Sequence, residues 1–368
     1  MTTAEARARG EILEAAARLT RGGLIQRTWG NISARVSETE MLITPSGLAY
    51  DTLREDQLVL INLRDGSCIG CAEPSSERGI HADAYRLRPE TNFVIHTHQY
   101  WASVIGTSGA ALTGFIHPLI GKRVPCAAYG LPGTRRLRRA VEAEILAWPD
   151  CRVFLMRSHG ALCLGRDLED AFAAARALEE VCGARVRDLT GEAAAPPSLL
   201  HLGVSRRQGD RFCLEANGAS RFYPVRGGPL PPIAALHAAV YRAGNFRYAA
   251  CEDSAEVRAV SGRGRTLRPY VDDLAQIAGA DIRCVPAEPR AVERAMRGRN
   301  AVLLRGTGAL CAGETEEDVQ AVCALLRKGC AAALYAQEDP RCRPLSPADA
   351  RIQRLLFQRS YAKKRGSR

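Results

Sequence analysis

One segment occurs twice in this chain, and only its first occurrence carries a histidine. Arg157-Ser158-His159-Gly160-Ala161-Leu162-Cys163 returns as Arg305-Gly306-Thr307-Gly308-Ala309-Leu310-Cys311. The agreement continues through Gly165 and Gly313, Glu169-Asp170 and Glu317-Asp318, and Cys182 and Cys330. A fainter echo precedes it, with His81-Ala82-Asp83-Ala84-Tyr85-Arg86 set against His237-Ala238-Ala239-Val240-Tyr241-Arg242. Extending that alignment places Cys251 opposite His96 and Asp253 opposite His98. The repeat therefore predicts two domains, of which only the first holds the three histidines a metal site would need.

A length of 368 residues agrees, since it exceeds what one hydrophobic core usually serves. The net charge of +11 does not point to nucleic acid. Residues 341–368 hold nine Lys or Arg against the single acid Asp349, the rest is nearly balanced, and no basic stripe is interleaved with aromatics. Thr2 to Leu19 mixes acids with bases in a helical pattern, unlike a signal or transit peptide. No apolar run reaches the ~18 residues that span a bilayer, so no membrane role is expected. Thirteen scattered cysteines read as reduced thiols in a cytoplasmic protein, and Cys68-x-x-Cys71 as a loop pair.

The periodicity predicts a helix over 4–20, a hairpin from Trp29 to Thr44 and a short strand at Val59-Leu60-Ile61-Asn62. A helix over Ser75 to Leu87 follows, capped by Ser75 or Ser76, then strands at 93–98, 123–127 and 153–157 and helices at 134–147 and 167–188. The predicted class is α/β with a mixed or antiparallel sheet. The predicted domains are 1–190, a Pro/Gly-rich linker over 191–231, a truncated second domain over 232–340 and a basic tail over 341–368.

In His96-Thr97-His98 a strand's period of two puts both imidazoles on one face. His159, at the mouth of another strand, completes a three-histidine set with open positions, which suits a catalytic divalent metal such as zinc. Gly30-Asn31 and Ser46-Gly47 in tight turns, with Ser75-Ser76 near a helix amino terminus, offer N–H groups to an anion such as phosphate. Glu77, beside Ser76, is placed either to bind the metal or to carry a proton.

Trp29-Gly30-Asn31-Ile32-Ser33, Met41-Leu42-Ile43-Thr44-Pro45-Ser46-Gly47, Pro74-Ser75-Ser76-Glu77, His96-x-His98, Val124-Pro125-Cys126-Ala127-Ala128-Tyr129 and His159-Gly160 together resemble the class II aldolase/adducin family, within it the L-fuculose-1-phosphate aldolase branch. The resemblance covers roughly residues 5–190. It implies a three-layer α/β/α domain, zinc held by His96, His98 and His159, and Glu77 as a metal ligand that becomes the acid/base. It also implies a phosphate pocket of Gly30, Asn31, Ser46, Gly47, Ser75 and Ser76. The implied reaction cleaves or forms a carbon–carbon bond in a ketose phosphate through an enediolate. Tetrameric relatives imply that two chains, each with one live and one degenerate copy, make a pseudo-tetramer.

One departure limits the likeness: Pro118, after His117, replaces a tyrosine of the fuculose-phosphate aldolases, and the stretch to Arg123 is shorter. Sugar-phosphate 4-epimerases and dehydratases on the same scaffold remain alternatives, as do adducin-like members that lost the metal and serve in protein assembly.

Overall fold

A computed structural model describes residues 2–25, 29–70, 72–191, 203–216 and 218–366, which form two compact units, Met1–Asp188 and Leu189–Arg368. Cys71, and with it the Cys68-x-x-Cys71 spacing, lies outside the described residues.

The first unit opens with α1 (Thr3–Arg21), capped by Thr2, whose hydroxyl accepts from the Glu5 N–H at 3.2 Å. Its strands are β1 (Gly30–Ser37), β2 (Glu40–Ile43), β3 (Val59–Asn62), β4 (Cys68–Ile69), β5 (Phe93–Thr97), β6 (Leu112–His117), β7 (Gly121–Val124), β8 (Cys126–Ala127), β9 (Val153–Met156) and β10 (Gly160–Gly165). Between them run α2 (Arg78–Leu87), α3 (Tyr100–Gly106) and α4 (Arg135–Ala147), and α5 (Leu168–Thr190) follows. One mixed sheet takes the order β4-β3-β2-β1-β5-β10-β9-β8, parallel only at β8–β9, while β6 and β7 form a separate hairpin. The α/β class predicted from the short strands and hairpins is the class observed.

Both sheet faces are covered. Met41, Ile43, Val94, Leu162 and Leu164 share a core with Ile80 and Ala84 of α2 and Val141 of α4. Their strand neighbours Leu42, Ile95 and Cys163 are equally buried and point to the opposite face, as the two-residue period requires. This double burial makes β5 the centre of the domain and fixes its register against β1 and β10.

The second unit holds β11 (Val204–Gln208), β12 (Arg211–Ala216), β13 (Ala219–Pro224), α6 (Pro232–Ala243), β14 (Tyr248–Glu252), α7 (Ala255–Gly262), α8 (Asp272–Ile277) and β15 (Cys284–Val285). α9 (Pro289–Met296), β16 (Ala301–Leu304), β17 (Gly308–Gly313), α10 (Glu316–Glu338) and α11 (Pro347–Gly366) complete it. Its sheet runs β13-β12-β11-β14-β17-β16-β15, parallel only at β15–β16. Element for element this is the order β3-β2-β1-β5-β10-β9-β8 of the first unit.

Three expectations need correction. The stretch 191–231 is not simply a linker, because 204–224 forms β11 to β13; their arginines face outward and mask the alternation that buries Ser205, Phe212 and Leu214. The second domain is therefore less truncated than 232–340 implied. The basic tail expected over 341–368 is, in its described part, a packed element: α11 lies on α8, with Ala350 and Gln353 buried. Arg354 donates to the carbonyls of Gln276 and Ile277 at 2.9 and 2.6 Å, a cation on the carboxyl end of α8. Finally, α10 is by length and composition apolar enough to cross a membrane, and most of its apolar window is buried within the second unit.

Candidate metal centre

β5 delivers His96 from its penultimate position and His98 just beyond its end, and the tight connection from β9 to β10 delivers His159. Ser158 supports that connection at φ 58°, the one non-glycine residue at positive φ among those described. The three imidazoles are buried, with ring centroids 4.5 to 5.0 Å apart. Their donor atoms all lie within 4.8 Å of one another, and no other such group of three converges among the described residues.

Two glycines permit this crowding around His96. A Cβ on Gly160 would meet the Thr97 carbonyl at 2.2 Å and His96 Cε1 at 3.1 Å. Gly30, at φ +107°, would place a Cβ 2.5 Å from the His96 carbonyl. Both neighbouring strands therefore approach β5 more closely than any side chain allows.

The tautomer of His96 follows from its partner. Nδ1 donates to the Ala161 carbonyl at 2.9 Å, which leaves Nε2 as the nitrogen that a metal would displace a proton from and bind. That nitrogen stands 3.2 Å from His98 Nε2. Two nitrogens bound tetrahedrally to zinc at ordinary lengths lie ~3.3 Å apart, so this separation fits a shared cation. Glu77 faces the same point, Oε2 3.2 Å from His96 Nε2 and Oε1 2.9 Å from His159 Nε2. Burial alone would raise the Glu77 pKa; charge and hydrogen bonds from His96 and His159 outweigh it and hold the carboxyl well below its usual range. Three imidazoles and one carboxylate thus make a donor set that fits a divalent metal.

Glu77 also occupies the position just before α2, which starts at Arg78 and not at Ser75, and its carboxylate makes no capping bond to the helix. Ser75 caps the preceding turn instead, its hydroxyl accepting from the Glu77 N–H at 3.2 Å. The Ser46-Gly47 turn is joined to this loop, since Ser46 N–H donates to the Glu73 carbonyl at 2.8 Å and Ser75 N–H to Thr44 at 3.3 Å. Ser46 and Ser76 are exposed, Gly47 turns at φ 68°, and the Tyr50 hydroxyl ties Gly30 to the same region at 2.8 Å. The structure therefore brings Ser46, Gly47 and Ser75 together.

Asn31, expected beside the phosphate, stands at the metal cluster. Its side chain is buried, with Nδ2 donating to Glu77 Oε2 at 3.0 Å and Oδ1 facing His81 Nε2 at 2.5 Å. Behind it, His81 Nδ1 meets the Ser33 hydroxyl at 2.6 Å, and Ser33 meets the Tyr85 hydroxyl at 2.8 Å. Burial, then the charge of His96, pushes the His81 pKa down to about 3, so this ring is neutral. The sequence reading assigned no role to Ser33, His81 or Tyr85. Their signal was the His81/His237 and Tyr85/Tyr241 echo, a helical pair four residues apart in each copy.

The profile of the family described as Class II Aldolase and Adducin N-terminal domain matches residues 10–186 and 213–334. An L-fuculose phosphate aldolase of Escherichia coli is 34% identical over 173 residues, covering 46% of this chain and 78% of that protein. A 5-deoxy-D-ribulose 1-phosphate aldolase of Bacillus thuringiensis is 33% identical over 175 residues, covering 46% and 80%. A crystal structure of L-fuculose-1-phosphate aldolase from Thermus thermophilus superposes with a TM-score of 0.45 at 25% identity, covering 52% of this chain and 99% of that one.

Proposed function

The chain belongs to the class II aldolase and adducin family, and from that premise we propose that its first unit is a metal-dependent aldolase acting on a ketose 1-phosphate. The observation that carries the reading is the convergence of His96, His98, His159 and Glu77 on one point. When bound there, a divalent cation, zinc by preference, supplies Lewis-acid polarisation of the substrate's carbonyl and neighbouring hydroxyl oxygens.

The chain's residues supply the rest. The Ser46-Gly47 turn and the Ser75-Ser76 loop, with Gly30, anchor the phosphate, and the Asn31 side chain is left out of that task by its bonds to Glu77 and His81. Glu77 carries the carbon's proton: in condensation it takes one from the carbon that attacks the aldehyde, whose oxygen becomes a hydroxyl with a proton from solvent. In cleavage the hydroxyl of the carbon that becomes the aldehyde gives its proton to solvent, and Glu77, having taken one up, delivers it to the carbon that has lost the aldehyde. The buried position of Glu77 keeps water from competing for that proton. Products are a phosphorylated three-carbon ketone and an aldehyde.

The second unit is, in this proposal, a duplicate that has lost the metal. Register alignment of β11, β14 and β17 with β1, β5 and β10 sets Cys251, Asp253 and Thr307 where His96, His98 and His159 stand, and Ile233 matches Glu77. We propose that two chains pair into a pseudo-tetramer with two working sites, and light scattering that finds a monomer removes this part.

The test is release of dihydroxyacetone phosphate, read by a coupled NADH assay, from L-fuculose 1-phosphate and 5-deoxyribulose 1-phosphate, with and without chelator. Cleavage that chelator abolishes and zinc restores supports the reading. Metal-bound protein that epimerises or dehydrates such sugars without cleaving them shifts the assignment to the alternatives. Protein that binds no metal leaves an adducin-like role.

A further inference from the structure

Glu77 is held by more than its imidazole neighbours. A buried line of five polar side chains, Glu77, Asn31, His81, Ser33 and Tyr85, runs back from the site, with contacts of 3.0, 2.5, 2.6 and 2.8 Å. The acceptor at one end fixes the direction of every bond. An ionised carboxylate only accepts, so the Asn31 amide must present its NH2 to Glu77 and its carbonyl to His81. His81 must then donate from Nε2. Its ring is neutral, so Nδ1 accepts, Ser33 donates its hydroxyl to that nitrogen, and Tyr85 donates to Ser33.

The second unit separates the parts of this line that serve the fold from those that serve the site. Ser205 meets His237 Nδ1 at 2.7 Å and the Tyr241 hydroxyl at 2.6 Å, the same trio in the same places. At the register position of Asn31 the second unit has Gly203, whose carbonyl accepts from the Cys251 N–H in continuation of the β11–β14 ladder, and at the position of Glu77 it has Ile233. The Ser–His–Tyr trio therefore accompanies the scaffold with or without a metal centre. The amide and the carboxylate occur only where the three histidines do.

We infer that His81 is a positioning residue for the reaction: its Nε2–H locks the Asn31 amide with NH2 toward Glu77, and so fixes the carboxylate oxygen pair against His96 and His159. Without that donor the amide is free to turn its carbonyl toward Glu77, where two acceptors would repel. Asn31 then acts on Glu77 and not on substrate phosphate, so its loss lowers turnover and leaves substrate affinity in place.

This inference rests on the proposed aldolase reading only in its kinetic arm. Histidine 15N NMR of the zinc-loaded wild-type chain reads the tautomer without substrate, and the expected result is His81 protonated at Nε2 and bare at Nδ1. Protonation at Nδ1 overturns the inference whatever the protein catalyses; the expected tautomer in a chain that cleaves no sugar phosphate leaves the array standing and defeats the proposed function. In the kinetic arm, His81→Phe should lower kcat of zinc-loaded, folded protein by roughly 10–100-fold with KM within about twofold, the usual weight of a side chain that orients a metal-site group. His81→Gln, which can return a donor near Nε2, should recover part of the loss. His237→Phe should leave kcat unchanged. Should His81→Phe fail to fold, Asn31→Leu keeps the trio intact and carries the same expectation. The double variant should lose no more than Asn31→Leu alone. Wild-type kcat in either single variant, multiplied losses in the double, or a KM rise in place of a kcat loss overturns the inference.

Discussion

Gly160→Ala is the smallest change that tests how the metal centre is built. The added Cβ would stand 2.2 Å from the Thr97 carbonyl, whereas real Cβ atoms essentially never come within 3.0 Å of a heavy atom. β10 must therefore retreat from β5 by at least about 0.8 Å at this point, in a core packed too densely to absorb it for less than about 1–3 kcal/mol. Two site contacts lie across that seam. The Ala161 carbonyl that fixes the His96 tautomer is on β10, and His159 is the residue just before the altered one. Zinc affinity should consequently fall by roughly 10–100-fold, or about 1.4–2.7 kcal/mol, as when an orienting partner of a ligating histidine is lost. Competition against a fluorescent zinc chelator measures it, with circular dichroism confirming the fold. The matching Gly308→Ala, whose Cβ would lie 2.9 Å from the Glu252 carbonyl, strains the second unit and should leave zinc affinity unchanged. Wild-type zinc affinity in a folded Gly160→Ala chain would refute the claim that close strand approach shapes the centre.

Two further outcomes follow from the charges at the site. Glu77→Gln should lower kcat by roughly 10²–10⁴-fold while KM changes little, and near-normal turnover on the true substrate would remove Glu77 from proton transfer. Acid should destabilise the metal-free chain through His81, whose pKa is about 3 when folded against 6.5 as a free side chain. Only the unfolded chain then takes up this proton between those values, so stability falls as pH drops from 6.5 toward 3, by up to about 1.4 kcal/mol per unit. His81→Phe removes that slope, and melting temperatures that decline in parallel for wild type and variant between pH 6.5 and 4.5, in chelator, count against it.

The His96–His98 pair was legible in the sequence because a strand's two-residue period is local: His96-x-His98 needs no tertiary information to share a face. The grouping with His159 was legible through the repeat, which gave the three histidines a common fate, and through the His159-Gly160 match to the family. The contacts of the Asn31 amide were not legible, because a Gly-Asn turn says nothing about which way the amide points once β1 is buried against β5. That direction is set by His81, 50 residues away in the chain, and distant polar pairings leave no periodic trace. The stretches 191–231 and 341–368 differ from their expectations for related reasons. In 191–231 the Pro and Gly content suggested a linker and outward arginines hid the strand alternation, and in 341–368 charge density suggested an exposed tail; in both, long basic side chains bond carbonyls or lie over aromatic rings, as Arg354 does on α8 and Arg211 on Phe222.

If the two units share one scaffold, what separates a metal centre from a plain sheet is a handful of side chains, and that can be built. The strand registers match pair for pair: Asn31 opposite His96 and Ala161 opposite Thr97 in one unit, Gly203 opposite Cys251 and Ala309 opposite Glu252 in the other. Gly308 stands in the place of Gly160 and already leaves room beside β14, and Gly306, at φ 72°, takes the turn that Ser158 takes at 58°. The backbone needed to present three imidazoles is thus in place, and Cys251→His, Asp253→His and Thr307→His, with Ile233→Glu, restore the donors. Zinc content by elemental analysis should then rise from one to two per chain. The second site should bind more weakly than the first, since Gly203 supplies no amide to orient the new carboxylate. His98→Ala in the same chain should remove the first zinc and keep the second. A folded quadruple variant that still holds a single zinc, lost on His98→Ala, would show that matching registers do not carry the geometry of the site, and that the second unit differs in more than the side chains it presents.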